Sequence, residues 1–226
     1  MAIARFKDLC IDTTGGEELG RFWAAVLGLD FEPDDPNDEE DSGSLAGPTR
    51  EHRIWMNTVP EARTVKQRVH LDVHTDSVQT LVDLGATVVD TRPGWTVMAD
   101  PEGGELCAFV REQVPDYRLY EVSVDCADPA MVARFWGEVF GSPAQHDAEH
   151  GWWWVEPVPG APFGSMVFDA VPEPKTVKNR IHWDVEADDL QPLLDRGATV
   201  VRARGGDLEW TVMADPEGNE FCAFTD

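Results

Sequence analysis

The sequence predicts an α+β fold assembled from a tandem repeat, and three observations carry that prediction. Long segments recur: RFWAAVLG at Arg21–Gly28 returns as RFWGEVFG at Arg134–Gly141, GATVV at Gly85 returns at Gly197, and WTVMADPEG at Trp95–Gly103 returns unchanged at Trp210–Gly218. Within each repeat the apolar spacing switches between the strand period of 2 and the helix period of 3.6. Each repeat also ends in a D-P-E-G turn, where Pro presets φ and Gly accepts a positive φ. The anchors divide the 226 residues into halves 1–113 and 117–226, joined by the Pro-containing stretch REQVPDYRLYE.

Each half holds two smaller units of order strand, helix, strand, strand, strand. The first opens with FKDLCID, which places Leu9 and Ile11 on one strand face and Asp8, Cys10 and Asp12 on the other. GGEELGRFWAAVLG then reads as a helix: Leu19, Phe22, Trp23, Val26 and Leu27 form one stripe, and Gly28 is the stop. The strand-like segments LDFEP and HRIWMNTV follow. Between them DDPNDEEDSGS, residues 34–44, is too acidic and too rich in Gly, Pro and Ser for a strand, and is expected to be an exposed, mobile loop.

The second unit opens with RVHLDVH, whose alternation puts His70, Asp72 and His74 on one face. The second half repeats this as RIHWDVE, with His182, Asp184 and Glu186. Such a polar face suits a metal site, a ligand cup or solvent. SVQTLVDLGA predicts a second helix ended by Gly85. The strands ATVVD, WTVMAD and ELCAFV complete the unit. Trp23 and Trp136 fall on apolar helix faces, and Trp183 is expected beneath a helix. GWWWVE is different: adjacent Trp residues in a strand face both ways, so Trp152 and Trp154 are candidates to line a ligand site.

Composition narrows the function. The net charge is −25, from 18 Lys and Arg against 43 Asp and Glu. Such a surface repels phosphate backbones and anionic bilayers, so neither nucleic acid nor membrane is expected as a partner, while cationic ligands are favoured. None of the four cysteines forms a CxxC pair, and the N-terminus has no signal-like apolar stretch. A cytoplasmic protein with reduced thiols is the expectation. The basic clusters ARTVKQR and PKTVKNR match Arg63, Lys66 and Arg68 with Lys175, Lys178 and Arg180. They either grip an anionic ligand group or pair with nearby acids and fix the crossover between units.

Taken with F-W-x-x-V-L-G on the first helix and D-P-E-G-x-E in the last hairpin, this order resembles the vicinal oxygen chelate superfamily, which includes glyoxalases, bleomycin-resistance proteins and extradiol dioxygenases. The likeness covers essentially the whole chain, with one two-module, glyoxalase-like domain in each half. It implies paired βαβββ modules whose sheets curl into a cup. It also implies a divalent metal (zinc, nickel, manganese or iron) in the metal-dependent members. Carried over residue by residue, the ligand positions fall on Asp8 and Glu121, on His70 and His182, and on Cys107 and Cys222 where the family places a Glu. The expected sets are Asp8, His70 and Cys107 in one half and Glu121, His182 and Cys222 in the other. Asn57 and Asp169 lie nearest the fourth corner.

Two functions follow. The first is a binding protein that holds a small aromatic or amphipathic molecule against Asp8, His70, Asp72, Glu121, Trp152, Trp154, His182 and Asp184, with no certain cofactor. The second is a metal-dependent lyase, isomerase or dioxygenase. The replaced Glu weakens the second. The chain is expected to be a monomer with pseudo-dimeric halves, or a homodimer.

Overall fold

The computed structural model describes residues 2–34, 42–206 and 208–225. The first half contains β1 (Ala4–Thr13), α1 (Gly16–Leu27), β2 (Asp30–Pro33), β3 (Gly43–Ala46) and β4 (Ile54–Thr58). It continues with β5 (Val69–Thr75), α2 (Val78–Asp83), β6 (Thr87–Arg92), β7 (Trp95–Ala99) and β8 (Glu105–Val110). The second half repeats this order: β9 (Leu119–Cys126), α3 (Pro129–Phe140), β10 (Ala144–His146), β11 (Trp153–Val155) and β12 (Ser165–Ala170). It ends with β13 (Ile181–Ala187), α4 (Gln191–Leu194), β14 (Thr199–Arg202), β15 (Thr211–Ala214) and β16 (Glu220–Phe224).

The expected helices form for the expected reasons. In α1 the stripe Leu19, Phe22, Trp23, Val26 and Leu27 is buried, and Gly28 caps the helix at φ 73°. In α3 Asp128 accepts the Met131 N–H at 3.0 Å, and Gly141 closes the helix at φ 66°. The second helix of each half is short: α2 spans six residues and α4 four. Trp183 lies under α3, with its ring 4.9 Å from that of Trp136.

One expectation fails. The end of the acidic segment 34–44 is strand, not loop: β3 pairs with both β2 and β4. Ser44 is buried and accepts a hydrogen bond from Arg53, and Gly43 lets the Phe31 ring approach to where a side chain would stand. Tertiary contacts thus override composition there. Residues 35–41 of that segment lie outside the described residues.

Two eight-stranded sheets form, ordered β14-β15-β16-β13-β1-β4-β3-β2 and β10-β11-β12-β9-β5-β8-β7-β6. Each takes one module from each half. In the first sheet β1 pairs antiparallel with β13, so Cys10 faces His182; in the second β5 pairs antiparallel with β9, so Asp72 faces Glu121. The crossover from β4 to β5 carries the chain from one sheet to the other. Arg68 fastens it by donating to the carbonyls of Asp125 at 3.1 Å and Glu173 at 2.7 Å, and Arg180 caps the carbonyl of Glu61 in the matching place. Lys66 pairs with Asp125 at 2.6 Å and Lys178 pairs with Asp12. The basic clusters therefore hold the crossovers.

A single apolar core runs between the sheets. Trp136 on α3 contacts Trp183 and Phe221 of the first sheet, while α3 itself packs on β10–β12 of the second. All four cysteines are free thiols, and no helix among the described residues is long and apolar enough to cross a membrane.

Candidate functional site

The sheet pairing redistributes the candidate residues. Asp8, His182, Asp184 and Cys222 come together on the first sheet, and His70, Asp72, Cys107 and Glu121 on the second. Neither ligand set grouped by half is assembled: Asp8 is in a different sheet from His70 and Cys107, and Glu121 in a different sheet from His182 and Cys222. The physical reason is the crossover, which sends the two modules of one half to different sheets.

The cup of the second sheet encloses about 630 Å³. Strand alternation aims His70 and Asp72 from β5, Cys107 from β8, and Glu121 and Ser123 from β9 into it. Asp169 enters from β12. The walls are aromatic. Trp95 stacks with Phe109 at 6.2 Å and meets Trp152 edge-on at 6.3 Å, and Tyr120 lies 5.3 Å from Phe109. Trp152 and Trp154 both line the cavity, whereas Trp153 stacks on His146 at 4.4 Å.

The floor is acidic and poorly compensated. Burial, reinforced by the nearby Glu121 charge, pushes the Asp72 carboxyl well above its usual range; the Cys107 thiol, donating to it, opposes the shift. Asp72 Oδ1 is buried without a hydrogen-bond partner. Burial also raises Glu121 and Asp169, each opposed by a serine hydroxyl: Ser165 donates to Glu121 at 2.8 Å and Ser123 to Asp169 at 3.1 Å. Among the described residues, none of these three carboxylates has an ion-pair partner. The basic groups on the lining already have partners, Lys66 with Asp125, itself on the lining, and Arg92 with Asp90 at 2.7 Å. His70 Nε2 lies 2.8 Å from the Gln67 carbonyl, which fixes its ring.

The first sheet has the same framework and a different filling. Lys7 pairs with Asp8 and sits 4.3 Å above the Phe224 ring, and the indole of Trp55 donates to Asp8 at 3.3 Å. Burial lowers His182 to about 4 and raises Asp184 to about 7. The Cys10 thiol donates to Asp184 at 3.7 Å.

Among the described residues, one group of three or more His, Cys, Asp or Glu brings its ligand atoms within 4.8 Å of one another: Cys10, His182 and Asp184. Glu121, His70 and Cys107 do not converge so closely, and Asp8 is tied to Lys7. The residues at the resemblance positions therefore do not fit a metal ion in either cup.

Two features escaped the sequence reading. Cys10 already shared a strand face with Asp8 and Asp12, but nothing local tied it to His182. Glu102 of the D-P-E-G turn reads as turn chemistry alone. In the structure its carboxylate accepts the N–H groups of Thr14 at 2.8 Å and Gly15 at 2.6 Å, at the start of α1, and Glu217 does the same for Ala127 at 2.7 Å, ahead of α3.

A family model described as "Glyoxalase-like domain" matches residues 8–109 and 121–224. Glyoxalase I from Zea mays superimposes with a TM-score of 0.72 at 11% identity, covering 98% of this chain and 92% of that one. A putative dioxygenase from Bacillus subtilis gives 0.68 at 14% identity, covering 100% and 86%. The cppA protein from Streptococcus pneumoniae gives 0.51 at 12% identity, covering 100% and 99%. At these identities the likeness speaks for the fold. No curated protein matches the chain.

Proposed function

The chain belongs to the glyoxalase-like domain family, and from that premise we propose that it binds a small, flat, cationic molecule in the cup of the second sheet. One observation carries the proposal. Three carboxylates, the buried Asp72 and the half-buried Glu121 and Asp169, face an aromatic-walled cavity of about 630 Å³ and lack ion-pair partners among the described residues. Desolvated acids of this kind gain most from a cation that enters with them, because Coulomb attraction strengthens as water leaves. Trp95, Trp152 and Trp154 supply ring faces for stacking and cation–π contact. The volume suits a small organic ligand. Each cup is completed by modules of one chain, which supports a monomer as the working unit.

The chemistry required is modest. Asp72 takes the positive charge, the serine-held Glu121 and Asp169 complete an anionic floor, and the tryptophans exclude water above it. The fold likeness to glyoxalase I and to a dioxygenase keeps a metal-dependent reaction as the second reading, but the donors in this cup do not converge.

Intrinsic Trp fluorescence tests the proposal with N-methylquinolinium as the flat cation and quinoline-2-carboxylate as its anionic counterpart. Saturable quenching by the cation alone is expected, weakened roughly fivefold in Trp152→Ala through loss of an aromatic contact of about 1 kcal/mol. Equal binding of cation and anion, or no binding of either, would overturn it.

A further inference from the structure

We propose that the cleft between the two crossovers binds an amphipathic organic anion, an apolar chain or ring that carries a carboxylate or sulfonate. The ligand is opposite in charge to the one read for the cup.

The cleft is built from residues of the segments 59–68, which lead from β4 to β5, and 171–180, which lead from β12 to β13. It encloses about 1010 Å³. The repeat gives it a two-fold plan. Arg68 reaches from the first crossover to the carbonyl of Glu173 on the second, and Arg180 reaches back to the carbonyl of Glu61 on the first. The two segments are thus tied at matching places, and the space between them stays open.

Five basic side chains line this space, Arg63, Lys66, Arg68, Lys178 and Arg180, against the acidic Asp12, Glu61, Asp125 and Glu173. A local positive excess stands out in a chain of net charge −25. The ammonium groups are neutralised, Lys66 by Asp125 at 2.6 Å and Lys178 by Asp12, and Arg63 lies 3.8 Å from Glu105. Arg68 and Arg180 differ. Among the described residues their guanidinium groups bond only to the main-chain carbonyls of Asp125, Glu173 and Glu61, and to no carboxylate. A carbonyl takes a hydrogen bond but leaves the positive charge uncompensated. A guanidinium has five N–H donors, so each fork retains donors for an oxyanion. Both side chains are half-buried, which limits screening by water, whereas Glu61 and Glu173 are exposed and their repulsion of an anion is screened.

The apolar lining complements the charge. Val65 and Val177, the central residues of the repeated TVK, are 41% and 44% exposed, and Val59, Pro60, Val171 and Pro174 line the same space. Open apolar side chains beside uncompensated guanidinium groups match an apolar body with an anionic head. A polyanion such as nucleic acid is disfavoured, because the surrounding surface is acidic. Lys66 and Asp125, paired with each other, line both the cleft and the cup, so two sites of opposite preference adjoin.

The test titrates the full-length protein with 8-anilinonaphthalene-1-sulfonate and reads the emission of the directly excited dye, because no tryptophan lines the cleft. One dye per chain is expected, displaced by octanoate and left in place by octylammonium. Val65→Asp and Val177→Asp each weaken dye binding about tenfold, since a like charge then stands beside the sulfonate. Arg68→Gln and Arg180→Gln weaken it as well, and Arg180→Lys retains more binding than Arg180→Gln because the charge survives. Absence of dye binding by the parent protein overturns the proposal. Equal displacement by octanoate and octylammonium overturns it, and so does binding that is unchanged in both valine variants. The arginine variants also lose a tie between the crossovers. Should they fail to fold, the valine variants decide, since they alter half-exposed side chains alone.

Discussion

The two cups share a strand plan and differ in what fills it, and one of those differences sets their character. In the first sheet Lys7 precedes Asp8, pairs with it and covers the ring of Phe224. In the second sheet Tyr120 precedes Glu121 and approaches the ring of Phe109, the counterpart of Phe224. A lysine at this place supplies an internal counterion to the acidic floor. A tyrosine leaves the floor to find its cation elsewhere. An ionised group and its partner are thus exchanged between a structural use and a binding use without altering the sheet.

That contrast can be broken from either side. The largest effect is expected for Lys7→Met, which strands the buried Asp8 carboxylate and lowers stability by about 3 kcal/mol in urea denaturation. Adding Asp8→Asn to it should restore most of the loss, since neither charge is then left alone. Tyr120→Lys makes the converse exchange and delivers an ammonium to Glu121. Binding of N-methylquinolinium should fall about 100-fold by calorimetry, because like charges placed together cost several kcal/mol.

Asp72→Asn sharpens the comparison through pH. The native Asp72 carboxyl sits well above its unfolded value, so the folded chain keeps a proton that the unfolded chain has already lost. Stability therefore declines as pH rises from the unfolded value of about 4 through the raised folded value. The Asn variant should lack this decline and melt higher than the parent at pH 8, while binding the cation more weakly, a divergence readable by scanning calorimetry with and without ligand. Equal pH slopes in variant and parent would remove Asp72 from the account. The smallest effect is expected for Glu102→Gln and Glu217→Gln, each removing a negative charge from the start of one helix. About 0.5 kcal/mol in chemical denaturation, similar for both, is expected from the helix-dipole interaction.

Much of this was legible in residue order. The repeat, the stripes of α1 and α3 with their glycine stops, and the polar faces of RVHLDVH and RIHWDVE follow from periods and turn chemistry, which are local. Partner choice was not legible. β5 and β13 carry nearly the same pattern, so either could pair with β1 on local grounds, and only the crossover and its arginine caps decide. β3 was hidden because Gly43 and Ser44 owe their place to Phe31 and Arg53 rather than to their own propensities. The same limit separated Cys10 from His182: strand alternation gives a face, but only pairing gives a neighbour.

The exchange of modules between sheets also has a bearing on synthesis. When the first half has left the ribosome, β1 and β5 each expose the edge that β13 and β9 will later occupy. Neither sheet can close until the second half arrives, and β1 waits longest, since its partner lies near the end of the chain. Contacts of such sequence separation make for slow folding and a nascent chain with open strand edges. For the first half, the marked acidity of the sequence is then a safeguard during that interval, keeping unfinished chains apart by mutual repulsion.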